Sequence, residues 1–136
     1  MTAISKEKYI ELDLPKIGKQ RIIFDLLLLD QHEALTGQKI YDVWKELGGK
    51  GKSLVQIIRD TAIIVYAGVT ANYLRAEKDL DGLPNFHQFL SDFGDLITEN
   101  RDLPSDILDA YAFNVAKITG TGKADEDDEK EKKNKE

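Results

Sequence analysis

Residues 53–78 read SLVQIIRDTAIIVYAGVTANYLRAEK, and how this stretch is buried decides the fold. Ser53 with Gln56 has the spacing of a capping box, in which the serine hydroxyl accepts the N–H three residues on. Leu54, Ile57, Ile58, Thr61 and Ile64 or Val65 then give a broad apolar face at helical spacing. From Ala62 to Ala67 nearly every residue is apolar, which predicts the most buried element of the protein. The helix is expected to continue through Tyr73 and Leu74 to about Lys78. Gly68 inside it costs about 1 kcal/mol relative to alanine, so a bend or a close helix contact is expected there.

Toward the N-terminus, a second helix is predicted from about Lys39 to Leu47. Ile40, Val43, Trp44 and Leu47 share its face, and Gly48, Gly49 and Gly51 end it. Before that, Asp25 caps a helix starting at Leu26, with Leu28, Leu29, His32 and Leu35 near one face and Gly37 as its stop. Ile10, Leu12 and Leu14 alternate with Glu11 and Asp13, the pattern of a half-buried strand over Tyr9 to Leu14. A turn over Pro15 to Gln20 leads to a second strand, Arg21 to Phe24. A lone hairpin is marginal in water, so this one must pack on something.

Toward the C-terminus, Asp81, Gly82 and Pro84 break the helix. Asn85 with Gln88 offers another capping box, and Phe86, Phe89, Leu90, Phe93 and Ile97 line one face. Pro104 and Ser105 open a last helix with Ile107, Leu108, Tyr111, Val115 and Ile118 inward, ended by Gly120. Of the sixteen residues from Thr121 to Glu136, twelve are charged and only Ala124 is apolar. Such a tail cannot bury enough surface to fold and is expected to be disordered. The expected architecture is mainly α: a flexible N-terminus over residues 1–8, one domain over 9–120 with a hairpin packed on about five helices, and a disordered charged tail over 121–136.

At 41% hydrophobic residues, the 136-residue chain can build one modest core. No continuous apolar run approaches the ~20 residues needed to span a bilayer, and residues 1–8 lack the apolar core of a secretory signal, so a soluble cytoplasmic protein is expected. There are no cysteines, which excludes disulfides, thiol catalysis and cysteine-ligated metals. The net charge of -6 disfavours nucleic-acid binding, which draws on a basic face.

Two stretches come close to known chemistry. Gly48 to Ser53 resembles the end of a P-loop, but Glu46 stands where its first glycine belongs, and a helix rather than a strand precedes it. Glu77, Asp79, Asp81 and Gly82 match positions 1, 3, 5 and 6 of a calcium loop, but Gln88 at position 12 cannot supply the bidentate carboxylate. His32 and His87 sit on different helices without a second histidine nearby, and carboxylates are scattered. No catalytic, cofactor or metal residues are therefore assigned, and a binding protein rather than an enzyme is expected. The large aromatics are mostly core by spacing. Where they are surplus to it, Trp44, Tyr73, Phe86, Phe89 and Phe93 are the candidate partner contacts.

The order of features resembles the tail assembly chaperones of long-tailed bacteriophages. The strand Ile22-Ile23-Phe24 runs into Asp25. A leucine-rich helix then stops at Thr36-Gly37, a short amphipathic helix follows, and Ser53-Leu54 opens the next. The small-residue segment Val65 to Val69, an acidic and aromatic helix over Asn85 to Ile97, and the lysine-rich tail complete the likeness. It covers most of residues 9–100. The resemblance implies a helper in the cytoplasm of an infected bacterium, absent from the finished virion. It would keep the tape measure protein soluble, help recruit tail tube subunits and use no cofactor. It also implies that a longer frameshifted form can exist. Two alternatives stay open: a small structural tail or head-completion protein retained in the virion, and a helical adaptor unrelated to phage. Self-association through the hairpin edge or a spare aromatic face is a further expectation.

Overall fold

A computed structural model describes residues 8–39 and 52–120. Two strands, β1 (Tyr9–Leu14) and β2 (Gly18–Ile23), form an antiparallel hairpin. Four α-helices follow: α1 (Leu26–Thr36), α2 (Leu54–Arg75), α3 (Phe86–Glu99) and α4 (Leu103–Thr119), with a 3-10 turn at Leu80–Gly82 between α2 and α3. The mainly helical fold with an N-terminal hairpin is thus present, with four helices rather than about five among the described residues. The helix expected over about Lys39 to Leu47, the leading residues and the charged tail lie outside them, apart from Lys8 and Lys39 themselves.

Local chemistry sets most of the helix ends. Asp25 accepts the Leu28 N–H, Ser53 the Gln56 N–H and Asn85 the Gln88 N–H, each about one turn into its helix. The two expected capping boxes are only half formed. Gln56 and Gln88 do not reach back to the cap; they reach forward to Asp60 and Asp92. Gly37 and Gly120 end α1 and α4 in the left-handed conformation. The end of α2 is different. Lys78 N–H bonds the Tyr73 carbonyl and Glu77 N–H the Leu74 carbonyl, a Schellman pattern that places Glu77 at φ 57°. The helix therefore stops at Arg75 rather than near Lys78.

The hairpin turn is tighter than expected. Pro15–Ile17 make the turn, with Lys16 at φ 68° and the Ile17 N–H on the Leu14 carbonyl. Lys19 and Gln20 join the ladder, so β2 begins at Gly18 and ends before Phe24. Alternation on β1 turns Ile10, Leu12 and Leu14 into the core.

Helix α2 is the axis on which β2, the 3-10 turn and the other helices pack, and β1 packs on α3 and α4. α1 runs antiparallel to it: Arg75 pairs with Asp25 at one end, and the Leu28 side chain lies against Gly68. A Cβ at Gly68 would come within 2.5 Å of the Ile22 Cγ2 and 3.2 Å of the Leu28 Cδ1. The glycine is thus the point where backbone meets both hairpin and α1, which is the close contact the sequence anticipated. α2 has 22 residues and is apolar enough, by length and composition, to cross a membrane, although no uncharged run of that length exists. Thr61, Ala62, Ile64, Val65 and Ala67 to Ala71 are instead buried against its neighbours, and a helix packed on several sides needs the same small apolar residues.

Candidate functional site

Among the five residues singled out for partner contact, Phe89 and Phe93 point into the core. They stack on one another with centroids 5.9 Å apart, and Tyr66 packs on Phe89 at 5.0 Å. Phe86 is half-buried, held edge-on by Tyr66 at 5.5 Å and overlaid by the Arg59 guanidinium. The Tyr66 hydroxyl donates to the Pro84 carbonyl at 2.7 Å, fixing the α2–α3 connection to the same seam. The stripe is therefore the joint between α2 and α3, and Phe89 and Phe93 are not available to a partner in this conformation. Their one-sided spacing serves a core and a groove equally well, and only the position of α2 distinguishes them. Tyr73 is half-buried, with Lys78 over its ring. Trp44 lies outside the described residues.

The uncovered apolar surface lies elsewhere. Leu54 and Val55, at the first turn of α2, are 68% and 76% exposed. Because α1 is antiparallel to α2, Leu35 near the end of α1 lies toward the same end, and it too is exposed. Leu35 and Leu54 were expected on inner faces. Thr36 takes the next inward place on α1, its hydroxyl donating to the His32 carbonyl. Leu26 and Leu74 lie exposed near the opposite end, beside the Arg75–Asp25 pair. On α4, Phe113 and Ile118 face outward, the former beneath Lys117. Adjacency did not mark the α2 patch in the sequence: the neighbouring pairs Leu28–Leu29 and Ile64–Val65 are buried, whereas Leu54–Val55 at the first turn is not.

Between these surfaces lies a polar contact that spacing alone did not reveal. His32 is 2% exposed, and its Nδ1 stands 2.5 Å from the Tyr111 hydroxyl, 79 residues away. With a neutral imidazole, either the phenol donates to Nδ1 or Nδ1–H donates to the phenol oxygen, according to the tautomer. Burial holds His32 down to about 4, against weaker upward pulls from Asp60 and Glu33. Burial likewise pushes the Tyr111 hydroxyl well above its usual range, with Glu33 adding to the effect. Nearby, Lys52 pairs with Asp60 at 2.7 Å, and Gln56 donates to the other Asp60 oxygen. Lys52, the lysine of the P-loop-like stretch, is thus engaged by a carboxylate. A general base must reach the proton it removes, and both members of the His32–Tyr111 pair are enclosed by core side chains. Their arrangement fits a specific core contact joining α1 to α4.

In the calcium-like stretch, Glu77 is the left-handed residue ending α2, and Asp79 accepts the Asp81 N–H as a cap of the 3-10 turn. Among the described residues, no three acidic or histidine side chains converge as metal ligands. Comparison of the chain with family models, curated proteins and solved structures gave no match.

Proposed function

We propose that this protein is a binding protein of the tail assembly chaperone kind, holding the tape measure protein of a long-tailed phage in soluble form inside the infected bacterium. The observation that carries the reading is the placement of its apolar surface. Eight large hydrophobic side chains stand exposed among the described residues, mostly on helix ends, on a chain of net charge -6. A tape measure protein is expected to be a long helical chain with apolar stripes. Helices with exposed leucine, valine and phenylalanine can cover such stripes in a helix-to-helix mode. An acidic surface then keeps the complex soluble through like-charge repulsion. The order of sequence features supports the same reading. Recruitment of tail tube subunits and absence from the finished particle belong to this proposal.

Co-expression with the tape measure protein encoded nearby tests it. The expected result is a partner that moves into the soluble fraction and elutes as a complex with this chain. A partner that stays insoluble, with no complex, would overturn the reading.

A further inference from the structure

The two edges of the hairpin differ. The Phe24 N–H bonds the Lys8 carbonyl, and the register pairs Ile10 with Ile22 and Leu12 with Gln20. In an antiparallel ladder, alternate residues turn their N–H and C=O outward. On β2 the outward residues are Lys19, Arg21 and Ile23. Two of their carbonyls are occupied: Asn72 Nδ2 donates to Arg21 at 2.8 Å, and the Asp25 N–H bonds Ile23. On β1 the outward residues are Tyr9, Glu11 and Asp13, and no backbone hydrogen bond among the described residues reaches them.

The solvent face of the sheet is also charged in rows. β2 carries Lys19 and Arg21. β1 carries Glu11 and Asp13 directly opposite them, with Arg21 bonded to Glu11 at 3.2 Å and packed over the Tyr9 ring. A further strand beside β1 would face an acidic row. Opposite charges across a strand pair stabilise it, and like charges oppose it. A second copy pairing β1 with β1 about Glu11 would set Glu11 against Glu11, which disfavours self-pairing.

We propose that the free edge of β1 takes an extended segment of a partner protein as a third strand, selecting lysine or arginine at alternate positions opposite Glu11 and Asp13. The main chain of Tyr9, Glu11 and Asp13 supplies the hydrogen bonds, and the acidic row supplies the selectivity. This edge is separate from the exposed helical leucines and does not depend on the tape measure reading.

The test is titration of the full chain with a synthetic peptide alternating lysine and valine, against one alternating glutamate and valine, read by amide exchange in NMR. The expected result is saturable protection of the Tyr9, Glu11 and Asp13 amides by the lysine peptide alone. A double variant, Glu11→Lys with Asp13→Lys, should reverse the preference, losing roughly tenfold in affinity for the lysine peptide. Glu11→Pro removes an outward N–H without breaking a ladder bond and should weaken binding with the melting temperature little changed. If that variant unfolds the hairpin, the charge reversal still decides. Equal binding of both peptides, protection at other amides, or edge protection by dimerisation without peptide would overturn the proposal.

Discussion

The two halves of α2 carry similar proportions of apolar residues and put them to different use. Around Gly68 the helix meets β2 and α1 at backbone distance through Ile22 and Leu28; farther on, Asn72 bonds Gln20 and the Arg21 carbonyl, and Arg75 pairs with Asp25. From Leu54 to Thr61 it has two uncovered apolar side chains, a Lys52–Asp60 pair and, nearby, the His32–Tyr111 contact. The C-terminal half holds the hairpin in place. The N-terminal half lies near the polar His32–Tyr111 contact that joins α1 to α4, and it leaves apolar surface at its tip. Leu26 and Leu74 are uncovered at the C-terminal end as well, but the adjacent pair Leu54 and Val55 is the most exposed apolar surface of α2 itself.

The sharpest way to break this contrast is Gly68→Val. The new side chain meets Ile22 and Leu28 at clashing distance, so a loss of about 3 kcal/mol is expected, seen as a lower urea midpoint. A variant as stable as the parent would mean that hairpin and α2 are not in the contact described.

The polar half answers to pH. The imidazole of His32 is held down to about 4 in the fold, from its ordinary 6.5. The unfolded chain therefore binds a proton here between those values and the folded chain does not, so stability falls as pH drops. The contribution is complete above pH 6.5 and lost progressively toward pH 4, about 3 kcal/mol in all. Urea melts between pH 7 and 4 should show this slope in the parent and not in His32→Phe. Tyr111→Phe removes the hydroxyl and leaves Nδ1 buried without this partner, at an expected cost of about 1–2 kcal/mol in the same melts.

Glu77→Gly is the smallest change and has the opposite sign. It replaces a left-handed glutamate with the residue that favours that conformation. A gain of about 0.5–1 kcal/mol is expected by thermal melting.

The local parts of this fold were legible in the chain. Asp25, Ser53 and Asn85 act on N–H groups three residues away, and Gly37 and Gly120 act on their own helix ends, so short windows contain the whole interaction. Gly68 was legible because glycine in an apolar helix interior has few other uses. Tertiary matters were hidden. The spacing of Phe86, Phe89 and Phe93 gives a face without saying what covers it, and α2 covers it here. His32 and Tyr111 each sit on a predicted inner face, but their meeting depends on how α1 and α4 approach across the core. Leu35, Leu54 and Ile118 fall at helix ends, where a face in phase with the core runs past the neighbour that would bury it. Lys19 and Gln20 are poor strand formers placed in β2 by their ladder partners rather than by propensity.

The role assigned to the exposed tip of α2 is tested most directly by a paired substitution, Leu54→Ser with Val55→Ser, in co-expression with the tape measure protein. Both side chains are solvent-exposed, so the melting temperature should stay close to the parent's. The account predicts that the parent keeps the partner soluble while the folded double variant leaves it in the insoluble fraction. Equal solubilisation by parent and variant would contradict it.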